Sequence, residues 1–533
     1  MIQKTYKLFL LIGLLLTTVT TFAASEAEFG KLSKAWKLNA DGSQEYRYTM
    51  ELTLFTHTAM NNTYGESFIV YNPKFQTLKI HSAYTKQKDG SIVKTPDNGF
   101  VEVLPRFAAN APAYNGLKEM VVVHTGLELG ATIYLDYSIL TKPGYYPELD
   151  IHEVLQETSP VKEYKVSITI PANKECTWEV VGSNARAFVE TDQAGNKTGT
   201  WRVFNLPASS REAFQTENLD DVPHINASTY SSNQAALAMM AKTLKSSGDY
   251  ESKTFGQYLT ENAKSDEEKV KIIKNHVVKN MGYVAIPWQH TGYTIRDIDE
   301  VLRSAYGTQA EKTQLLNVLL NAAGIPAEVL AVYPANREAN ANGLSVIKEL
   351  VVKATVSGKD QYLSVVPSAP INLYNRGYLD RITKLDGTPI TTIKAKPVVI
   401  AEKKEVTVSK EKAKNGFAVC TLPASHKGVD AWRMSTLNSK RVTTFELPSM
   451  IQQEMVYTIV ADGMQLQTST EEQELSNAFG KVVRTITPKG NKIEVVRRIE
   501  LNKQQFTPNE YKEVRKLINE WVDPNNRVLL FSL

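Results

Sequence analysis

Apolar residues alternate with polar ones over short runs from about residue 45 to residue 205. Runs 46–55, 67–71, 78–84, 120–124, 131–140, 164–170 and 177–181 are rich in β-branched and aromatic residues and predict strands. Asn72-Pro73, Asp89-Gly90, Pro96-Asp97, Pro143-Gly144 and Gly195-Asn196 separate them as turns. Many short strands with few helical periods predict an N-terminal antiparallel β-sandwich. Residues 206–223 are polar and acidic and predict a linker, with Asp220-Asp221 as a solvated pair.

The period then changes. Runs 234–245, 254–263 and 267–281 carry apolar residues at three- and four-residue spacing. In the third, Val270, Ile273, Val277 and Val278 form one face, with Asp266 as the expected N-cap. A short helix is expected over 298–303. The best-marked helix follows: Thr308 is its N-cap and Glu311 completes a capping box. Leu315, Leu316, Leu319, Leu320 and Ala323 form its buried stripe, and Gly324 and Pro326 stop it. Strands are expected at 327–333, 350–356 and 361–365, so helices precede an antiparallel sheet in a central α+β domain.

Further strands are expected at 416–422, 443–447, 454–461, 481–488 and 492–501. Run 393–408 is either a linker strand or the first strand of this last unit. A helix closes the chain: Thr507 caps it, Pro508 is its first residue, Glu510 completes a capping box, and Pro524 ends it. Its stripe of Tyr511, Val514, Leu517, Ile518 and Trp521 is expected in the core of a C-terminal β-sandwich. The expected limits are 1–23 for a leader, then 24–225, 226–378 and 379–533 for the three domains.

Composition narrows the function. Lys4 and Lys7, the apolar run 8–16 and Thr21-Phe22-Ala23 form a signal peptide with a small-x-small cleavage site. No cysteine lies near that site for lipid attachment, and no later apolar run is long enough to span a bilayer. These features predict a periplasmic or secreted bacterial envelope protein with no transmembrane segment after cleavage. The formal charge is +4, and losing Lys4 and Lys7 leaves +2, too balanced for a nucleic-acid binder. The two cysteines, Cys176 and Cys420, sit in apolar-alternating stretches and are expected to be buried free thiols without metal-ligand spacing. No cofactor is expected.

Residues 268–334 resemble the transglutaminase-like superfamily, of papain-type fold. The resemblance rests on Met281-Gly282-Tyr283-Val284 at a helix end, the loop Gly307-Thr308-Gln309-Ala310-Glu311-Lys312, and Leu315-Leu316 after it. The N-terminal part resembles the DUF3857 domain in Tyr71-Asn72-Pro73 and Gly126-Leu127-Glu128-Leu129-Gly130. The C-terminal part resembles the sandwich with a terminal helix of the same proteins, in Val495-Val496-Arg497-Arg498-Ile499 and residues 511–521.

The resemblance implies a cysteine nucleophile, a histidine base and an orienting aspartate. It assigns those positions, to within a residue for the last two, to Gln309, Glu349 and Ser364. No cysteine lies between Cys176 and Cys420, and no histidine between His290 and His426. An amide is neither nucleophilic nor basic near neutral pH. Lys348, next to Glu349, is expected to face away from it by strand alternation. His276 and His290 are expected to be structural or exposed, and Trp288 to line the cleft or to pack in the core or at the rim. The leading reading is a non-catalytic, transglutaminase-like envelope protein that binds a peptide, glycan or partner protein. The alternatives are a hydrolase or acyl-transfer enzyme with a rebuilt site around Glu349, and a purely structural assembly role.

Overall fold

The computed structural model describes residues 25–210, 212–215, 222–245, 248–333, 342–367, 382–390, 396–434 and 437–533. The leader at 1–23, the Asp220-Asp221 pair and the limit at 378/379 lie outside the described residues.

The N-terminal region is built on an eight-stranded sheet. In spatial order its strands are Phe188–Thr191, Lys197–Leu206, Val161–Ile170, Ala27–Leu38, Gln44–Leu54, Thr132–Thr141, Gln76–Lys86 and Ile92–Lys94. All pair antiparallel except Ala27–Leu38 with Val161–Ile170, a departure from the purely antiparallel expectation. Ala27–Leu38 is a central strand that alternation did not reveal. A bulge between Phe29 and Lys31 breaks its two-residue period, so the buried residues run Ala27, Phe29, Leu32. Two three-stranded sheets pack on the large one. They join Thr177–Val181, His224–Ser228 and Asp150–Val154, and Glu66–Tyr71, Lys118–Val123 and Phe100–Val103. Phe29, Leu52, Tyr164 and Trp201 meet Ile151, Ile225 and Val122 in one core. The strand His224–Ser228 runs across the limit expected at 225/226, and both its partners are N-terminal strands.

The central region sets helices against a four-stranded sheet ordered Lys359–Leu363, Glu349–Val356, Ala327–Val332 and Ile382–Lys384. The helix Gln309–Ala322 is its axis. Thr308 and Glu311 form the expected capping box, and Gly324 takes the left-handed conformation (φ +83°) that ends it. Leu315, Leu316, Leu319 and Leu320 are fully buried. The helix Asp266–Asn275 is capped by Ser265, whose Oγ accepts from the Glu268 N–H; Asp266 was the expected cap. Ser265 has the extended backbone a cap requires, which leaves Asp266 in the first turn, where a carboxylate suits the helix dipole. Beyond Asn275 the chain makes one wider turn, His276–Asn280.

The C-terminal sheet runs Val398–Thr407, Ile451–Val460, Lys492–Leu501, Gly480–Lys489 and Gln473–Asn477. Val398–Thr407 pairs parallel with Ile451–Val460, so run 393–408 contains the first strand of this unit. The helix Pro508–Val522 has the predicted capping box and buries Tyr511, Val514, Leu517, Ile518 and Trp521 in the same core. Cys420 is buried as expected, but Cys176 is only half-buried because it precedes its strand; both are free thiols. Among the described residues no helix is long and apolar enough to cross a membrane.

The N-terminal and central regions are latched at Asp150. Its carboxyl accepts from the Leu344 N–H (2.6 Å), the Ser345 N–H (3.1 Å) and the Ser345 hydroxyl (2.5 Å). Those donors favour the ionised form, but burial outweighs them and pushes the carboxyl up to about 6. A raised folded value means that the folded chain holds this proton where the unfolded chain has lost it. The contribution of the latch is therefore fullest near pH 4 and falls as pH rises to about 6. Asp150→Asn mimics the protonated form. The stability of the wild type relative to Asp150→Asn, read by urea unfolding, is expected to decline from pH 4 to 6 and then level off.

Candidate functional site

The site grows from the N-terminus of the helix Gln309–Ala322. Glu311 is fully buried there and is met by donors from three directions. Thr308 N–H reaches its Oε2 at 2.8 Å, closing the cap. Arg296 donates through its backbone N–H (3.0 Å), Nε (2.9 Å) and Nη2 (3.1 Å). The Tyr114 hydroxyl, from the N-terminal region, donates at 2.6 Å. Burial works against the charge, but the hydrogen bonds and charge of Arg296, with Tyr114 and the helix cap, hold the carboxyl below its usual range. The Arg296 guanidinium also lies over the Tyr306 ring at 4.5 Å and donates to the Tyr306 carbonyl at 2.8 Å. The loop before the helix is thus fixed on both sides.

That loop presents Gln309, which is only partly buried. Its Nε2 donates to the Leu350 carbonyl at 3.4 Å, tying the first turn to the strand Glu349–Val356. The strand begins with Glu349, which accepts a short hydrogen bond from Ser364 Oγ. Gln309, Glu349 and Ser364, far apart in sequence, are therefore gathered at one place. They do not have equal access. Gln309 and Glu349 border a cavity, whereas Ser364 is 1% exposed behind Glu349 and receives the Val366 N–H.

The cavity has a volume of about 780 Å³ and lies between the N-terminal and central regions. Trp288 borders it, as one of its expected roles required, and also packs on the central core. Lys348 borders it together with Glu349, although alternation placed them on opposite faces. Lys348 precedes the strand, so the alternation of the strand does not govern it. His290 also reaches the cavity; its ring stacks on Phe107 at 5.7 Å, and burial pushes it down to about 4, so it is neutral.

The opposite wall was missing from the sequence reading. Trp36, Tyr46, Tyr137, Tyr146 and His152 all come from the N-terminal region. Tyr46 and Tyr137 lie on strands found by alternation, but alternation does not say which face meets another domain. Trp36 lies on the bulged strand that alternation missed.

Two buried lysines stand behind the site. Burial pushes Lys274 down to about 8 against the attraction of Glu349. Lys312 is also pushed to about 8 by burial; its ammonium donates to the Met281 carbonyl at 2.9 Å and lies 5.7 Å from the Tyr283 ring. Among the described residues no three histidine, cysteine or carboxylate side chains are grouped to hold a metal ion. Chemically the cavity offers several amides, Gln309 among them, several carboxylates (Glu45, Glu148, Asp150, Glu153 and Glu349), the Lys348 ammonium and several aromatic faces. It offers no thiol.

Two outcomes follow from this geometry. Glu311→Ala strands the Arg296 charge and is expected to cost about 3–5 kcal/mol of unfolding free energy in urea titrations. Burial pushes the Cys176 thiol up to about 12 and raises Cys420 as well. Both native thiols are therefore expected to resist iodoacetamide at pH 8 in the folded chain and to react at once in 6 M urea, read by mass spectrometry.

Comparison with known proteins agrees with this geometry. The Transglutaminase-like superfamily matches residues 253–363, and two domains of unknown function, DUF3857 and DUF3858, match residues 40–210 and 418–531. No curated protein matches the chain. The crystal structure of a putative protease from Parabacteroides distasonis is 64% identical, with a TM-score of 0.91, over 95% of this chain and 99% of that one. A putative cysteine protease from Cytophaga hutchinsonii is 11% identical over 40% of this chain and 74% of its own, with a TM-score of 0.19. Matched over nearly its whole length and in all three regions, the chain belongs to the transglutaminase-like superfamily, in the arrangement that sets a DUF3857 region before the transglutaminase-like region and a DUF3858 region after it.

Proposed function

We propose that this chain is a non-catalytic member of its superfamily, and that it binds an extended polar chain, a peptide or a glycan, in the cavity between its N-terminal and central regions. The carrying observation is that the cavity opens on Gln309 and Glu349, the positions the family resemblance gives to the nucleophile and base; the Gln309 amide is no nucleophile, so a base at Glu349 has none to activate there. The aromatic wall of Trp36, Tyr46, Tyr137 and Trp288 gives such a ligand flat apolar contact. Gln309, Lys348 and Glu349 give it hydrogen-bond partners. The leader at 1–23 would deliver the chain to the periplasm or beyond. We take the domains to follow the limits at 23/24 and 378/379, with the limit expected at 225/226 moved past the strand His224–Ser228, which belongs to the first domain.

One observation favours a second reading, a hydrolase built on Glu349. The carboxylate is buried, bonded to Ser364 and close to the charge of Lys274. The protease description of the 64% identical structure points the same way. The accessibility of the groups argues against it. Ser364 is shielded from the cavity, and a carboxylate alone is a weak nucleophile toward an amide.

The two readings separate in one assay set. The exported chain is expected to cleave no member of a peptide library and to join no amine donor to glutamine peptides. Binding of short peptides or oligosaccharides, read by calorimetry, should weaken at least tenfold in Trp288→Ala and Gln309→Ala, with the thermal midpoint held in Gln309→Ala and lowered in Trp288→Ala, whose ring also packs on the core. Turnover abolished by Glu349→Gln would overturn the proposal.

A further inference from the structure

The two small sheets of the N-terminal region each end on an unpaired strand. Asp150–Val154 bonds only to His224–Ser228, and Glu66–Tyr71 only to Lys118–Val123. The register fixes which main-chain groups are free. Thr229 N–H donates to the Leu149 carbonyl and Leu155 N–H to the Pro223 carbonyl, so by two-residue parity Ile151 and Glu153 also turn their main-chain groups to the partner strand. The N–H and C=O groups of Asp150, His152 and Val154 therefore point the other way. His124 N–H donates to the Gly65 carbonyl, and the same parity turns those of Glu66, Phe68 and Val70 outward. Among the described residues these outward main-chain groups have no hydrogen-bond partner.

Both free edges open on the interdomain cavity. Phe68, Ile69 and Val70 line it, and so does the run from Asp150 to Glu153. Side chains alternate between the faces of a sheet, so an unbroken run of residues reaches one cavity only along the edge of its strand. Trp36, Tyr46 and Tyr137 border the same space from the face of the large sheet that both small sheets cover. The second layer of the sandwich is thus interrupted, and the cavity lies at the break. Free edges are commonly blunted by a proline or a bulge, and neither strand has one. Phe68 is 58% exposed beside its edge.

An unpaired edge repeats an outward N–H and C=O at every second residue, about 6.6–6.8 Å apart. A peptide in extended conformation repeats the complementary pair at the same interval; the hydroxyls of a sugar chain do not. On the binding role proposed above, we infer that the occupant of the cavity is a peptide rather than a glycan. It enters as an added strand at the break in the second layer, with its main chain bonded to the outward groups of the flanking edges. Its side chains then alternate. One set lies on the aromatic floor of Trp36, Tyr46 and Tyr137, and the other turns toward Gln309, Lys348 and Glu349 of the central region. A peptide of alternating apolar and polar residues suits both walls.

The test uses the exported full chain and calorimetric titration. The probes are end-blocked hexapeptides alternating valine with lysine, glutamine or glutamate, the same compositions with the two kinds in separate halves, and cellulose and chitin oligosaccharides. At least one alternating peptide is expected to bind saturably, and at least tenfold more tightly than its block permutation or either sugar. Methylating one alternate set of its N–H groups, or the other, should cost at least tenfold. On binding, hydrogen–deuterium exchange should slow at Phe68, Val70 or His152 more than at Ile69 and Ile151, whose amides are already paired. Binding unmoved by methylation of either set, exchange unchanged along both edges, or sugar binding without peptide binding would each overturn the inference and leave the binding role of the cavity standing. Absence of saturable binding by every peptide and sugar would overturn both.

Discussion

The buried Glu311 carboxylate holds the functional half of this molecule together. It closes the cap of the central helix, accepts three donors from Arg296 and one from Tyr114, and so joins a helix, a loop and a neighbouring region at a single charged group. A buried charge is stable only when its partners are in place. Each partner is therefore fixed by the others. Arg296 cannot leave without exposing Glu311 to an apolar interior, and Tyr114 brings the N-terminal region to the mouth of the helix. The position of Gln309, two residues before Glu311, follows from that anchoring.

The cavity is a consequence of how two regions meet. The large sheet contributes an aromatic face through Trp36, Tyr46 and Tyr137, and the central region contributes the start of a helix and the start of a strand. Tyr145 donates to the His290 carbonyl at 2.8 Å, and Asp150 gathers the Leu344–Ser345 turn, so contacts at two further points hold the walls apart at a fixed spacing. A cleft used only for acyl transfer needs its thiol at the helix N-terminus. In this chain Gln309 stands at the helix N-terminus, and the space beside it is walled by a second region. The interior between the two regions is shaped and chemically mixed.

The C-terminal region poses a different physical problem. Its core is a sheet covered by the helix Pro508–Val522, and two arginines interrupt the apolar face that the helix covers. Stacking of Arg497 on Trp521 shields part of the guanidinium, and backbone carbonyls take some of its donors. Tyr457 and Asp430 attract the Arg497 charge as well, and Glu520 that of Arg484.

The sequence by itself determined a good deal. Capping boxes at Thr308–Glu311 and Thr507–Glu510 were legible because a cap is a local contract between residues three apart. The leucine stripe and the strands 177–181 and 492–501 were legible because period alone separates helix from strand. The gathering of Gln309, Glu349 and Ser364 was within reach only through family resemblance, since no local rule links residues forty positions apart. The bulged strand Ala27–Leu38 was hidden, because one extra residue shifts every later side chain to the other face. Only the tertiary structure decided that Lys348 shares a cavity with Glu349, that Ser364 lies behind it, and that the second wall comes from another region. Periodicity states that a face is apolar; it does not state which other face will meet it, because that choice is made by shape and charge complementarity between elements distant in the chain.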